Sequence, residues 1–294
     1  MIDHDLQKGT VNHNMSTLEM KNELTAEEKR IAEKGPDYKN WIPAGMTVSL
    51  VSASAGLAAG AFGAAVYEKE QNLPAGLKYV LAAGAAGMGA AALWSMMASA
   101  AFSYKGRRKL SEQVINGIAE YIDLPENGVG LDVGCGSGAL TIAAAKRNPQ
   151  GRMVGIDRWG KDYASYSLDL CCRNALAEGA ENVTFRKGDA VKLNFADGAF
   201  DAVTSNYVYH NISGADKQAL LKETLRVLKK GGTFAIHDIM TPARYGDMEK
   251  FRQELLDEGY EKVELIDTTR GRFMMPNEAA LYMLKGSALL YGIK

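Results

Sequence analysis

The sequence contains little cysteine, with three cysteines in 294 residues. One lies inside a glycine-rich stretch, and the other two, Cys171 and Cys172, are adjacent. This excludes a disulfide framework and a C-x-x-C pair, so we predict no metal site and favour a reducing compartment. The adjacent pair is open to two interpretations: a redox or soft-metal site, or small core-facing side chains on a helix. The second is favoured.

The chain also lacks an excess of charge and an apolar leader. Its formal net charge is -1, whereas nucleic-acid enzymes usually carry a basic balance or a basic face, so we expect no nucleic-acid partner. Residues 1–40 contain many charges, few large apolar side chains and no h-region of a signal peptide. We predict a polar, disordered tail there, in which a charged surface helix that begins near Thr17 or Thr25 ends at Gly35-Pro36.

Charged side chains are absent from two further segments, residues 40–67 and 79–104. Each is long enough to span a bilayer as a helix, and its aromatic residues lie mostly near its ends. We therefore predict that residues 41–104 form a two-helix transmembrane hairpin. Four bases among residues 105–109 then place the following domain and the N terminus on the cytoplasmic side of the cell membrane. The alternative is an apolar hairpin that joins copies of a soluble homo-oligomer.

Residues 129–140 read Val-Gly-Leu-Asp-Val-Gly-Cys-Gly-Ser-Gly-Ala-Leu, a pattern typical of a buried strand that runs into a glycine turn and then a helix. Such glycines allow positive φ and let a ligand approach main-chain N–H groups. With Asp132 before the turn and Asp157 after the next strand, the pattern resembles class I S-adenosylmethionine (SAM) dependent methyltransferases. The glycines concerned are Gly134, Gly136 and Gly138.

Further motifs follow in the order of that family across residues 105–294. The resemblance implies an α/β fold with a Rossmann-like seven-stranded sheet whose last strand is antiparallel, and it implies SAM as the cofactor. In the family, the acid at the position of Asp157 binds the ribose, Asp189 and Ala190 match the adenine contacts, and a residue such as Arg158 or Trp159 stacks on the ring. The other cofactor-site residues that we predict are Asp132, Gly134, Cys135, Gly136, Gly138 and Asn206.

The residue patterns also predict individual elements of this domain. We expect helices over residues 110–122, 137–148, 163–178 and 215–230. The last two strands are predicted over residues 263–267 and 281–290.

Residues after the fourth and fifth strands are the candidates for acceptor chemistry. His210 is the preferred general base, because the ordinary pKa of imidazole lies near neutrality and the family places acceptor-side residues at this point. A capping or packing role for His210 is the alternative. His237 and Tyr209 are the other catalytic candidates.

The resemblance is to the branch that methylates small molecules and lipids. Members that methylate nucleic-acid amino groups carry Asn/Asp-Pro-Pro-Tyr where this chain has Asn206-Tyr207-Val208-Tyr209. We therefore expect a membrane-tethered methyltransferase whose partners are the membrane and a lipophilic or amphiphilic small-molecule acceptor. Two alternatives remain, a soluble oligomeric enzyme and a SAM-sensing membrane adaptor without chemistry. The sequence determines neither the acceptor nor the methylated atom.

Overall fold

The structure is a computed structural model that describes residues 25–160 and 165–294. It contains two compact units: Asn40–Glu112, and the described residues up to Lys39 together with Gln113–Lys294. The helices in chain order are α1 (Ala26–Lys34), α2 (Ala44–Tyr67), α3 (Leu77–Phe102), α4 (Leu110–Ala119), α5 (Ala139–Arg147), α6 (Leu168–Ala177), α7 (Lys217–Arg226), α8 (Pro242–Tyr245), α9 (Met248–Asp257) and α10 (Pro276–Leu281). The strands are β1 (Val129–Val133), β2 (Arg152–Asp157), β3 (Val183–Lys187), β4 (Phe200–Asn206), β5 (Leu228–Ile239), β6 (Lys262–Asp267) and β7 (Ser287–Ile293).

Residues 25–39 belong to the unit that contains the sheet. Thr25 begins α1 with a capping box, in which its hydroxyl accepts from the Glu28 N–H and the Glu28 carboxylate accepts from the Thr25 N–H. Beyond the helix, the Asp37 N–H donates to Asn174 Oδ1 at 2.7 Å. The predicted charged helix is therefore present, with its start at Thr25 and its end at Gly35, and this segment is ordered where the sequence predicted a disordered tail. Residues 1–24, with the predicted helix start at Thr17, lie outside the described residues.

The unit Asn40–Glu112 is built on a hairpin of α2 and α3. The hydroxyls of Thr47 and Ser95 lie 2.5 Å apart, and Ser54 Oγ donates to the Ala85 carbonyl at 2.8 Å, so polar groups lie between the two helices. Both helices are long and apolar enough to cross a membrane, by length and composition alone. Their outward surface exposes many large apolar side chains, among them Val48, Val51, Phe62, Val66, Val80 and Leu93.

The other unit is organised by one seven-stranded sheet with the strand order β3-β2-β1-β4-β5-β7-β6. Its neighbouring strands are parallel except where β7 pairs antiparallel with β5 and β6. All five residues of β1 are buried, as expected for a central strand covered on both faces. The predicted α/β sheet with an antiparallel last strand is confirmed. The carboxyl ends of β1, β2 and β4 meet at one edge, where parallel sheets bind ligands.

The end of α7 and the start of β7 differ from the predicted boundaries. Helix α7 ends at Arg226 because Leu228 already pairs with Phe200, and the glycine turn that follows is an irregularity within β5. The strand predicted over residues 281–290 is wrong in its first half, because α10 occupies Pro276–Leu281 and β7 begins at Ser287. Proline in the first helical turn favours this helix.

Helix α6 begins later than predicted, at Leu168. Ser167 is its N-cap, since the Ser167 hydroxyl accepts from the Leu170 N–H at 3.1 Å. Cys171 of this helix is fully buried in a small apolar cluster with Ile142 and Phe185. The core-facing interpretation of this cysteine is therefore confirmed.

Candidate active site

The loop between β1 and α5 forms a backbone cradle at the carboxyl edge of the sheet. Its three glycines have φ values of +74°, +56° and +84° at Gly134, Gly136 and Gly138, a region that favours glycine. The N–H groups of Gly134 and Cys135 donate to the Ile156 carbonyl at 2.8 and 3.0 Å. These bonds attach the loop to β2, so its conformation is determined by the sheet.

The three glycines are required for different reasons. A Cβ on Gly134 would lie 2.3 Å from Val208, and one on Gly138 would lie 2.9 Å from Phe185, so the protein's own packing excludes both. Among the described residues, a Cβ on Gly136 would meet only the ring of Tyr166, at 3.7 Å, which is an ordinary contact. The space beside the Gly136 Cα therefore allows a ligand to approach the loop.

Asp157 at the end of β2 holds this loop from the side. Its Oδ2 accepts from the Gly136 N–H at 3.0 Å, and its Oδ1 accepts from the Trp159 N–H at 2.8 Å. A carboxylate offers about four lone-pair positions. Two remain for the hydroxyls of a ligand, so the Asp157 carboxylate suits the ribose contact that the resemblance implies.

The loops after β2 and β3 lie close together. Arg158 Nη1 lies 3.9 Å from Asp189 Oδ2, and both side chains are largely exposed. Asp189 Oδ1 also accepts from the Val191 N–H at 2.9 Å. In the described part of the chain the Ala190 N–H has no hydrogen-bond partner. An acceptor carboxylate beside a free N–H matches the amino group and ring nitrogen of adenine.

Trp159 supports the loop rather than offering a free ring face. Its Nε1 donates to the Gly136 carbonyl at 2.9 Å, and its side chain packs against the buried cluster that contains Cys135 and Cys171. Of the two residues predicted to stack on adenine, only Arg158 has an exposed planar side chain.

Asp132 and Cys135 are buried beneath the loop. The Asp132 side chain is 1% exposed and accepts from the hydroxyls of Thr141 and Thr204 at 2.6 and 2.9 Å. Burial raises the pKa of Asp132 to about 6 despite these hydrogen bonds. Burial and the neighbouring Cys171 raise the pKa of the Cys135 thiol well above its ordinary value. The structure places both side chains beneath the loop, which they support from within.

His210 lies in a short 3-10 turn, Tyr209–Asn211, directly after β4. Its Nδ1 is 2.5 Å from Asp238 Oδ1, and its side chain is 16% exposed. Tyr207, at the unusual φ of +55°, places its ring edge-on to His210 at 5.9 Å between centroids. The imidazole is thus held at one nitrogen and partly accessible.

The structure gives no support to His237 and Tyr209 as catalytic groups. His237 is fully buried in β5, and its two ring nitrogens lie 2.9 Å from Asn206 Oδ1 and from Thr268 Oγ1. Burial lowers the pKa of His237 to about 3, so its ring stays neutral. Tyr209 is also fully buried, with its hydroxyl 2.5 Å from that of Thr224. Neither side chain is accessible to a substrate.

Asn206 has a structural partner as well. Its amide oxygen meets His237, which joins the end of β4 to β5. The structure therefore gives no support to the predicted contact between this side chain and the cofactor.

Two residues near the site were missed in the sequence. Tyr166 lies within the helix predicted over residues 163–178, but it precedes α6 and its ring faces Gly136. Ser167 was the available signal, because a serine before an apolar run is typical of an N-cap. Asp238 contacts His210 from a position 28 residues away in the chain, and no local pattern indicates that contact.

Comparison with known proteins agrees with this geometry. A family model described as a methyltransferase domain matches residues 125–284. The demethylmenaquinone methyltransferase of Thermus thermophilus is 37% identical over 114 residues, which are 39% of this chain and 48% of that protein. The 2-phytyl-1,4-naphtoquinone methyltransferase of Thermosynechococcus vestitus is 31% identical over 140 residues, or 47% and 58% of the two chains.

The chain thus spans about half the length of these relatives. Among solved structures, a SAM-dependent methyltransferase from Aquifex aeolicus is 18% identical, with a TM-score of 0.45 over 64% of this chain and 93% of that one. The family model covers more than half of the sequence. On that match, the chain belongs to the methyltransferase-domain family.

Proposed function

We propose that this chain is a membrane-tethered, SAM-dependent methyltransferase. Its acceptor is a lipophilic small molecule that releases a proton when it is methylated. One observation carries the proposal: the cradle glycine Gly134 packs directly against Val208, two residues before His210. The cofactor loop and the accessible imidazole therefore lie next to each other at one sheet edge. A methyl donor on the cradle and an acceptor beside His210 would meet there.

The chain's own residues account for cofactor binding. Asp157 would hold the ribose, and Asp189 with the Ala190 N–H would hold the adenine. The space beside Gly136 would accommodate the neighbouring part of the molecule. Arg158 would cover the adenine with its planar guanidinium. When bound, SAM supplies an electrophilic methyl group on a sulfonium that leaves readily. The protein's contribution is then mainly orientation and exclusion of water.

His210 would take the proton that the acceptor releases. An imidazole with Nδ1 already bound can accept a proton at Nε2, and positioned general bases contribute about 10²- to 10⁴-fold to rates. An acceptor that is methylated at a phenolic hydroxyl or at an activated ring carbon must lose a proton and therefore needs the His210 imidazole. A sulfide or tertiary amine does not.

A planar aromatic acceptor fits the surroundings of His210. The ring of Tyr207, which is not fully buried, stands edge-on to His210 at 5.9 Å between centroids. Aromatic rings favour such edge and offset contacts with another ring. The relatives named for demethylmenaquinone and phytyl-naphthoquinone support a reduced naphthoquinone as the acceptor.

The hairpin supports the choice of a lipophilic acceptor. In α2 and α3, small polar groups lie between the helices and large apolar side chains face outward, the reverse of a water-soluble hairpin. The basic residues 105–109 favour a cytoplasmic catalytic domain. A homo-oligomer formed through the outward apolar surface is compatible with this arrangement.

The test is turnover by the full-length chain in native membranes with methyl-labelled SAM and reduced demethylmenaquinone or 2-phytyl-1,4-naphthoquinone. We expect label in the quinone, and we expect His210→Ala to lower turnover about 10²- to 10⁴-fold while SAM affinity stays nearly unchanged. His13→Ala, in the N-terminal segment, is the matched histidine control. Absence of label with either quinone would reject this acceptor class, and wild-type turnover by His210→Ala would reject the base.

A further inference from the structure

Asp238, at the carboxyl end of β5, is a buried carboxylate with an unusual number of directed contacts. Its side chain is 0% exposed. Its Oδ2 accepts from the N–H groups of Tyr209 and His210 at 2.8 and 3.2 Å, and its Oδ1 accepts from the Ile239 N–H at 2.6 Å. Three backbone bonds therefore fix the carboxylate in one orientation.

The fourth contact is with the His210 imidazole. Oδ1 lies 2.5 Å from Nδ1, and an ionised carboxylate can only accept a hydrogen bond. Nδ1 must then carry the hydrogen, which leaves the lone pair of a neutral ring on Nε2. Because the bonds to Tyr209 and His210 involve the backbone of the same turn, the carboxylate orients both the main chain and the ring.

The ionisation state of Asp238 agrees with this arrangement. Burial alone would raise its pKa, but the hydrogen bond from His210, the positive charge of that ring when it is protonated, and the Ile239 N–H outweigh burial. The pKa of Asp238 therefore lies below its ordinary value. The other titratable groups near the carboxylate are His237, which burial keeps neutral, and the phenols Tyr207, Tyr209 and Tyr245, whose pKa values burial raises. Arg244 beside Tyr245 is exposed to solvent.

We propose that Asp238 is the positioning residue of this site, which holds His210 in the tautomer with a free Nε2 and stabilises the imidazolium formed during the reaction. The proposal rests on the role of His210 proposed above. As the methyl carbon leaves sulfur and bonds to the acceptor, the acceptor's proton moves to Nε2. The ring then carries one positive charge against the carboxylate, and it returns the proton to solvent through its exposed edge.

The tautomer is measured without any acceptor. The full chain contains four histidines and is labelled with ¹⁵N-histidine in detergent. Two-bond ¹H–¹⁵N spectra of His210→Ala and His237→Gln assign the signals of the His210 and His237 rings. We expect the neutral His210 ring of the wild type to be protonated at Nδ1. In Asp238→Asn, whose amide can donate, we expect the Nε2-protonated form to appear. The same Nδ1-protonated pattern in both proteins would overturn the proposal.

A double-mutant cycle separates positioning from a structural role. With the quinone assay, Asp238→Asn should lower kcat about 10²- to 10⁴-fold, with a smaller effect on KM. In the His210→Ala background the same change should cost less than about threefold, because the residue acts through the missing ring.

Asp132→Asn is the matched control for a buried aspartate in the same sheet. Its carboxylate contacts Thr141 and Thr204, not His210. Any loss of turnover that Asp132→Asn causes should therefore be equal in the wild type and in His210→Ala. If Asp238→Asn lowers kcat by the same factor in the wild type and in His210→Ala, the role of Asp238 is structural and the proposal is overturned. If neither quinone is methylated, the acceptor assignment fails, and the tautomer measurement still decides the role of Asp238.

Discussion

At the scale of single residues, the acid at the end of β2 has two functions. Asp157 ties the glycine loop to β2 through the Gly136 and Trp159 N–H groups, and it retains lone pairs toward the open side of that loop. Asp157 therefore contributes both to SAM affinity and to the conformation of the loop between β1 and α5. Its substitution should therefore alter binding more than folding.

Asp157→Ala should weaken SAM binding by about 1.5–3 kcal/mol, roughly 10- to 150-fold, because a charged acceptor is lost from the ribose hydroxyls. Calorimetric titration of the full chain in detergent gives the dissociation constant. Asp169→Ala, which removes an exposed aspartate paired with Arg173 on α6, is the control and should leave the constant unchanged. A folded Asp157→Ala chain with wild-type affinity would remove this residue from the site.

The glycines of the loop allow a matched comparison. Both Gly136→Ala and Gly138→Ala place a side chain at positive φ, which costs about 1–2 kcal/mol. At Gly138 the new Cβ also meets Phe185, which adds about 1–3 kcal/mol of overpacking, whereas at Gly136 the space is open.

We therefore expect Gly138→Ala to reduce the free energy of unfolding more, and Gly136→Ala to weaken SAM binding at least about tenfold in a chain that still folds. Urea unfolding and calorimetry give the two quantities. Tight SAM binding by Gly136→Ala would show that the ligand does not approach this backbone.

At the scale of elements, His237 connects three parts of the sheet, since it lies in β5 and contacts Asn206 of β4 and Thr268 after β6. Its pKa is about 3 in the folded chain, against an ordinary 6.5. As the pH falls below 6.5, the unfolded chain binds a proton that the folded chain does not, so this residue lowers the free energy of unfolding by about 1.4 kcal/mol per pH unit. Asp132 acts in the opposite direction below about pH 6, because its pKa is raised.

His237→Gln isolates the histidine contribution, because Asp132 is present in both proteins. Between pH 6 and pH 4 we expect the variant to lose less stability than the wild type, by about 1.4 kcal/mol per pH unit. Urea unfolding at pH 7, 5.5 and 4.5 measures the difference, with His13→Gln as the control. Parallel losses in wild type and variant would mean that the ring is protonated in the folded state.

At the scale of the whole molecule, residues 41–104 should keep the chain in the membrane fraction. The large apolar side chains of α2 and α3 face outward, and the hydroxyls of Thr47 and Ser95 meet between the helices. This arrangement suits a lipid environment. Washing membranes with alkaline carbonate should leave the full-length chain in the pellet. Deletion of residues 41–104 should yield a soluble domain that binds SAM. Release of the full-length chain by carbonate without detergent would indicate an oligomer contact instead of two spans.

Much of the fold could be predicted from local patterns. The glycine turn after β1, Asp157 after β2 and the apolar strands could be predicted from residues within a few positions of one another. Glycine's backbone freedom and an apolar run are local features of the sequence. The boundaries of α7 and β7 could not be predicted in the same way. Pairing of Leu228 with Phe200 ended α7, and that pair joins residues 28 positions apart.

The same distinction applies to the site. The sequence by itself determined which loop carries the cradle and which residues could take a proton. Only the tertiary structure decided between the two histidines, because burial depends on strands that are distant in the chain. His237 meets Thr268 31 residues away and is neutral and enclosed, whereas His210 meets Asp238 and keeps an exposed edge. The partner of each ring, and therefore its chemistry, follows from long-range contacts that a local pattern does not contain.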